Sequence, residues 1–270
     1  MEFNFFDEKD NRNVINNIFS LLFFTTDFPF KSSIIPTGFP SIVYVFGENQ
    51  KVFYKKREIE FKELIVGGQF DRTYDYLVTS EGSKNIGANL HPTGLYKILG
   101  TDISLLTNNF VDFTKINKEL SKKFLPIFIK NHNDIPLFIK EFKNFINNLD
   151  LTLDKNIDQI DIAVNYILKK EGMIQVVDLL KIVSLSQKSL EVKFKKIVGL
   201  TPGKYIRLTR FIKLMRKYES KEIDINDLIY MYNYYDHSHF IKDFKLFMSQ
   251  STKSYFKKDF PLIKAYSKDL

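Results

Sequence analysis

Two stretches of the chain carry polar and cationic side chains at matching positions of one pattern. SLEVKFKKIVGLTPGKYI occupies residues 189–206, and HFIKDFKLFMSQSTKSYF occupies residues 239–256. With an offset of 50 positions, Phe194 meets Phe244 and Lys195 meets Lys245. A repeat of this kind indicates a duplicated structural unit. Lysine side chains bind phosphate oxygens and guanine edges, so the chemistry predicted for both stretches is contact with nucleic acid.

The apolar spacing predicts the elements that must position these side chains. Each copy has the pattern of a short helix, a tight turn and a second helix, which is a helix-turn-helix arrangement. Ser186 and Asp236 are the predicted N-caps of the two second helices, and Pro202 is predicted to open a long helix between the copies. The apolar residues predicted to face inward are Leu190, Phe194 and Ile197 in copy one, and Phe240, Phe244 and Phe247 in copy two.

The opposite face of each second helix is polar and is therefore free to enter a major groove. Lys195 and Lys196 are predicted to contact phosphates, whereas His237 and Lys242 are predicted to contact base edges. The full set of predicted DNA-binding residues is Gln187, Lys188, Glu191, Lys195 and Lys196 in copy one, and His237, Ser238, Lys242 and Lys245 in copy two.

Charge is divided unevenly along the chain. The whole chain carries a formal net charge of +8. Residues 1–154 hold 18 Lys and Arg against 19 Asp and Glu, while residues 155–270 hold 22 against 13. The entire positive excess therefore lies in the half that holds the repeat, as expected of a polyanion-binding module joined to a neutral one. A solvated lysine-rich surface is the alternative that charge alone leaves open.

The first half has a different pattern. Short β-branched and aromatic runs at 41–46, 51–61 and 63–70 predict strands, and a helical pattern begins near residue 112. The sequence thus predicts an α+β fold, in which a mainly β N-terminal domain with flanking helices precedes an all-α domain with two helix-turn-helix units joined by a long helix. The predicted boundaries are 1–150 for the N-terminal regulatory domain, 151–156 for a linker and 157–270 for the DNA-binding domain.

Composition excludes several classes of protein. The chain has no cysteine, so disulfides and thiolate metal sites are excluded. No apolar run approaches the length of a membrane span, and the acidic start lacks the order of a secretory signal, so a cytoplasmic protein is expected. His91 lacks a readable nucleophile and base around it, and His237 and His239 fit the first turn of a helix better than a metal site. We therefore predict no enzyme activity, no metal and no cofactor.

Residues 157–258 resemble the DNA-binding domain of AraC/XylS-type transcriptional regulators. The resemblance is carried by LSQKSLEVKFKKIVGLTPGKYIRLTRFIKLM (185–215) and INDLIYMYNYYDHSHFIKDFK (225–245). It implies a sequence-specific DNA-binding regulator, with RNA polymerase as a possible partner and either activation or repression as the outcome. The chain departs from the family pattern at Asn233, which replaces a turn glycine, at Val192, which replaces an arginine, and at Ser249, which replaces a glycine.

The N-terminal half resembles a sensor-type domain found ahead of many such DNA-binding domains. The stretches that carry this resemblance are IIPTGFPSIVYVFGE (34–48), LIVGGQFDRTYDYL (64–77) and IGANLHPTGLYKILG (86–100). It implies control through a small-molecule effector, a protein partner or homodimerisation, without identifying pocket residues. The alternative function is a tandem helical protein- or RNA-binding module fused to a small-molecule-binding β domain.

Overall fold

Antiparallel strands precede a run of helices in the computed structural model, which describes residues 1–55, 57–220, 223–257 and 260–268. Within this described part, ten strands form two sheets. The strands are β1 (Glu2–Phe6), β2 (Ile15–Leu22), β3 (Phe30–Ile34), β4 (Ser41–Phe46), β5 (Gln50–Tyr54), β6 (Arg57–Glu60), β7 (Glu63–Gly67), β8 (Tyr74–Val78), β9 (Lys84–Leu90) and β10 (Phe110–Asp112).

The two sheets pack face to face. One sheet has the strand order β1-β2-β9-β4-β7-β10 and the other has the order β3-β8-β5-β6. Side chains alternate along each strand of the larger sheet, because successive residues of a strand point to opposite faces. In β4, Val43 and Val45 join the core between the sheets, whereas Ile42 and Tyr44 join the core on the outer face.

Helices cover the outer face of the larger sheet. They are α1 (Gly94–Leu99), α2 (Phe113–Ile116), α3 (Lys118–Asn131) and α4 (Ile135–Asn148). Phe124 and Phe128 of α3 pack against Phe142 of α4, and Phe128 also stacks on Tyr44 of β4. The helices thus complete a second core on the side of the sheet that faces away from the smaller sheet.

The remaining helices belong to the second half of the chain. They are α5 (Lys155–Lys169), α6 (Val176–Leu179), α7 (Gln187–Val198), α8 (Pro202–Glu219), α9 (Ile225–Met231), α10 (His237–Met248), α11 (Thr252–Tyr255) and α12 (Pro261–Lys268). Helix α8 lies between the two helix-turn-helix units and packs on α6, α7, α9 and α10. The predicted α+β fold, with a long helix joining two helical units, is confirmed.

Several local predictions need correction. The run at 51–61 is a hairpin of β5 and β6 rather than one strand, because Lys55 adopts a left-handed turn conformation at φ 56°. Strands β1 and β2 were not predicted. Helix α5 begins at Lys155, inside the predicted linker, because the Asp154 side chain caps its first turn by accepting from the backbone N–H groups of Asn156 and Ile157.

The two halves share one apolar core. Buried residues from β2, β4 and β9 belong to the same cluster as buried residues of α5, α7, α8 and α10. The connecting segment takes part in this packing, since Leu151 is buried and the backbone N–H of Thr152 donates to the carbonyl of Lys97 at 2.8 Å. The predicted linker is therefore docked on the N-terminal half. Across the described residues, every helix falls short of the length and apolarity that crossing a bilayer requires.

The residue that follows each second helix offers a matched test of backbone strain. Ser249 ends α10 with φ 54°, whereas Gly199 ends α7 with φ 93°. Serine is disfavoured in this left-handed region and glycine is not. We expect Ser249→Gly to raise the free energy of unfolding by about 0.5–1 kcal/mol in urea titrations.

The reverse change in copy one supplies the control. A Cβ at Gly199 would stand 3.0 Å from Thr107 Oγ1 and would also meet the φ penalty. Gly199→Ser should therefore lower the free energy of unfolding by more than about 1 kcal/mol. Equal effects of one sign from both substitutions would contradict this account.

Candidate nucleic-acid interface

The first predicted reading helix, α7, is fixed at both ends by local hydrogen bonds. The Ser186 side chain caps its start by accepting from the backbone N–H of Ser189, and Gly199 ends it with a bond to the carbonyl of Lys195. Leu190, Phe194 and Ile197 are buried as predicted. The opposite face is left to solvent.

The second predicted reading helix, α10, is built in the same way. Asp236 caps its start by accepting from the backbone N–H of His239 at 2.7 Å. Asn233, which stands where the resembling family has glycine, adopts φ 54° in the preceding turn. Asparagine tolerates this conformation better than most residues, so the turn survives the substitution. Phe240, Phe244 and Phe247 are buried as predicted.

A buried carboxylate sets the orientation of α10 on α8. Asp243 is fully buried and pairs with Arg207, whose Nε lies 3.1 Å from Asp243 Oδ1. Tyr234 in the turn donates to Asp243 Oδ2 at 3.2 Å, and the Arg210 guanidinium lies over the Tyr234 ring. Hydrogen bonds to a buried carboxylate are stronger than those between neutral groups, so they hold α10 firmly against α8. Asp243 is not among the residues predicted from the sequence, although its place between Phe240 and Phe244 on the buried face of the helix is a signal that the sequence contains.

All nine side chains predicted to bind DNA are exposed. These are Gln187, Lys188, Glu191, Lys195, Lys196, His237, Ser238, Lys242 and Lys245. Gln187 donates to Glu191 Oε1 at 3.2 Å, so these two side chains on the polar face of α7 bind each other. Val192, on the same helix, is 62% exposed and offers an apolar contact where the resembling family has arginine. Lys196 differs from the others, because its ammonium lies 5.9 Å from the centre of the Tyr96 ring in α1.

The N-terminal half holds the C-terminal end of both reading helices. Thr107 Oγ1 donates to the carbonyl of Gly199, at the end of α7, at 2.8 Å. Thr73 donates twice to the end of α10, from its backbone N–H to Phe247 and from Oγ1 to Met248, both at 2.8 Å. These carbonyls have no partner within their own helix, so each bond satisfies an otherwise open acceptor. The relative position of α7 and α10 therefore depends on the N-terminal half.

An ion pair adds to this contact at the start of α8. The ammonium of Lys204 pairs with the carboxylate of Asp71, which is buried and also accepts from Arg72. Burial by itself would raise the pKa of Asp71, but the hydrogen bond and charge of Lys204, with the bond from Arg72, outweigh it and lower the pKa below its usual value.

A second polar cluster joins α5 to the N-terminal half. Asp161 accepts from Lys97 Nζ at 2.6 Å and from Asn13 Nδ2 at 3.2 Å, and also from Thr93. His91 completes the cluster, with Nδ1 2.8 Å from Thr93 Oγ1 and Nε2 3.1 Å from Asn165 Oδ1. Burial is the main cause that lowers the pKa of His91 to about 4. His91 thus lies in the contact between the halves, a position that the sequence alone did not reveal.

His237 and His239 are the two histidines that stand closest together in the sequence. Both lie in the first turn of α10, where the rings of Tyr230 and Tyr234 are their neighbours. Among the described residues, no group of three or more His, Cys, Asp or Glu side chains could hold a metal ion.

Family models match two separate parts of the chain. Residues 179–258 match the family described as helix-turn-helix domain, and residues 12–112 match a domain of unknown function (DUF6597). The first match begins at the last residue of α6 and spans α7 to α11, and the second spans β2 to β10. None of the curated proteins matches the chain.

Solved structures of ToxT from Vibrio cholerae resemble the chain over most of its length. One ToxT structure is 14% identical, with a TM-score of 0.45 and coverage of 95% of this chain and 98% of that one. A ToxT bound to (E)-4-(8-methylnaphthalen-1-yl)but-3-enoic acid is 13% identical, with a TM-score of 0.46 and coverage of 95% and 99%. A third, bound to an unsaturated fatty acid, is 12% identical, with a TM-score of 0.46 and coverage of 92% and 96%. The bound ligands are those of ToxT.

The buried histidine gives the contact between the halves a defined pH dependence. The folded pKa of His91, about 4, lies below the unfolded value of about 6.5. Between these values the unfolded chain binds a proton that the folded chain excludes, so stability falls as pH falls through this window. From pH 7 to pH 5 we expect His91 to account for a loss of about 2 kcal/mol.

Urea unfolding of His91→Gln at both pH values measures this contribution. The variant should lose less stability than the wild-type chain over the same interval, by roughly that amount. His237→Gln is the control, because His237 is exposed on α10. A His91→Gln curve parallel to that of the wild type would contradict the assignment.

Proposed function

We propose that this chain is a DNA-binding transcription regulator of the AraC type, and that it places α7 and α10 in two successive major grooves on one side of a duplex. The observation that carries this proposal is the attachment of both helix-turn-helix units to one buried helix, α8. The 18 residues of α8 span about 27 Å, a distance comparable to the roughly 34 Å between successive major grooves.

The two reading helices have unequal chemistry. Helix α10 presents His237, Ser238 and Lys242 near its start, all capable of hydrogen bonds to base edges. Helix α7 presents Lys188 and the Gln187–Glu191 pair in the corresponding region, with Val192 where α10 has Lys242 and with further lysines closer to its end. We infer that copy two supplies most of the sequence preference and that copy one supplies mainly affinity through phosphate contacts.

The N-terminal half, approximately residues 1–150, is proposed as the regulatory domain. It contacts the ends of both reading helices, so a change in its shape alters their relative position. A small-molecule effector, a protein partner or a second copy of the chain is the class of signal that such a half receives. RNA polymerase is the proposed partner at the promoter, and the cytoplasm is the proposed location.

Footprinting tests the two-groove arrangement. Hydroxyl-radical cleavage of a selected high-affinity duplex should show two protected windows about 10 base pairs apart on one face, for one protein molecule per duplex. The stoichiometry is measured on the same complex by sedimentation. Protection of a single groove per molecule would contradict the arrangement.

Alanine substitutions test the division of labour between the helices. Lys242→Ala and His237→Ala should each reduce the free energy of binding to the selected site by about 1–3 kcal/mol and reduce binding to scrambled duplex much less. Lys195→Ala and Lys196→Ala should weaken binding to both duplexes alike and lower the salt slope. Titrations at several salt concentrations measure both quantities.

Lys188→Ala gives a matched control on the exposed face of α7. If α10 carries the preference, Lys188→Ala leaves the ratio of selected to scrambled affinity close to that of the wild type. Equal losses on the two duplexes for Lys242→Ala would show that α10 contacts only phosphate.

A further inference from the structure

A cavity of about 110 Å³ lies between the two sheets of the N-terminal half. Aromatic rings from both sheets line it, among them Phe19, Phe61, Phe70, Tyr74 and Phe110. Leu262 and Ile263 of α12, from the other half of the chain, also line it. An apolar protein cavity of roughly 150 Å³ binds benzene, so this space suits a molecule with a single ring. Rings pack favourably against aromatic side chains through edge-to-face contacts.

One strand brings polar groups to this apolar space. The inward face of β9 consists of Asn85, Gly87 and Asn89, while Ile86, Ala88 and Leu90 on its other face belong to the apolar core. Gly87 leaves room for the Phe19 ring, since a Cβ at this position would stand 2.6 Å from the ring. Asn85 and Asn89 both line the cavity. A strand face of asparagines among aromatic rings is costly unless the amides have partners.

A chain of hydrogen bonds fixes which atom of Asn85 is open. Gln50 Nε2 donates to the carbonyl of Phe46 at 2.8 Å, which leaves Gln50 Oε1 to accept from the Tyr76 hydroxyl. The Tyr76 oxygen then accepts from Asn85 Nδ2 at 2.7 Å. Asn85 Oδ1, in a side chain that is only 3% exposed, has no hydrogen-bond partner in the described protein. The open group is therefore an acceptor and selects a donor.

The charge of the lining narrows the ligand further. Among the described residues that line the cavity, none is Lys, Arg, His, Asp or Glu. A carboxylate placed there would lose its hydration without gaining a countercharge, which is strongly unfavourable. The cavity therefore discriminates against anions and cations alike.

We propose that this cavity binds a small neutral aromatic molecule with one hydrogen-bond donor, as phenol has, and that residues 68–74 transmit its occupancy to the reading helices. The first half of this proposal stands on the cavity alone. The second half rests on the proposed function, because it concerns DNA affinity.

Within residues 68–74, some side chains line the cavity, and the side chains between them contact the DNA-binding half. Phe70 and Tyr74 line the cavity. Asp71 pairs with Lys204 at the start of α8, and Thr73 donates to the carbonyls of Phe247 and Met248 at the end of α10. A ring that displaces Phe70 or Tyr74 must move the residues between them. The ligand and the duplex then change each other's affinity by the same factor.

Calorimetry with the full-length chain tests the site. Phenol, toluene and benzoate are the probes, since toluene lacks the donor and benzoate carries a charge. We expect phenol to bind at least tenfold more tightly than toluene, and benzoate not to bind. Equal affinities for phenol and toluene would overturn the role of Asn85, and benzoate binding as tight as that of phenol would overturn the neutral class. Absence of phenol binding would overturn the site.

Two variants separate the site from a general loss of folding. Asn85→Leu should remove the preference for phenol over toluene. Because this change also removes the donor to Tyr76, Val43→Phe provides a second approach, since it fills the cavity from β4 without touching the hydrogen-bond chain. Val43→Phe should abolish phenol binding while urea unfolding stays cooperative. Retention of full phenol affinity by Val43→Phe would place the ligand elsewhere.

The coupling is measured as the ratio of duplex affinities with and without saturating phenol. We expect a change of at least fivefold in the wild-type chain and a change of less than twofold in Thr73→Val. Thr79→Val is the matched control, because it removes a threonine-to-backbone bond, to Asn49, outside this segment. An unchanged ratio in the wild type overturns the coupling but leaves the site intact. Failure of the phenol-free chain to bind duplex would instead contradict the proposed function.

Discussion

Burial of helix α8 around most of its circumference is the constraint on which the rest of the structure depends. Ten of its 18 residues are buried. Tyr205 donates to the carbonyl of Gly38 in the N-terminal half, Phe211 packs on Phe244 and Phe247 of α10, and Arg207 pairs with Asp243. A helix held on so many sides cannot shift without breaking several contacts at once. Both helix-turn-helix units therefore pack on the same firmly held helix, which fixes their positions relative to each other.

The N-terminal half packs directly against the second half and is not joined to it by a linker alone. Several contacts join it to the second half, among them Thr107 with α7, residues 71–73 with α8 and α10, and the Asp161 cluster with α5. Lys97 and Asp161 are both largely buried, and such a pair is strongly destabilising to break from one side. Under the proposed function, a regulatory signal received in this half would reach α7 and α10 through these packed contacts.

Most of the local structure of the second half could be predicted from the sequence. Ser186, Asp236, Gly199 and Pro202 act at the helix ends where their side-chain chemistry predicts them, and the buried faces of α7 and α10 follow the helical period. All nine predicted DNA-binding residues are exposed, and their roles on DNA remain predictions. The β half was less readable, because short strands such as β1 and β2 mix polar and apolar residues without a clear alternation.

The sequence by itself determined the helix-turn-helix repeat, its caps and the charge of its outer face, because these depend on residues within about four positions of one another. Only the tertiary structure decided what long-range packing controls. It joined Asp161 to Lys97 across 64 positions and Thr73 to Met248 across 175. It also placed Asn85 against a cavity and left its oxygen open. Such pairs lie on separate elements, and no local period relates them until both elements pack on the same core.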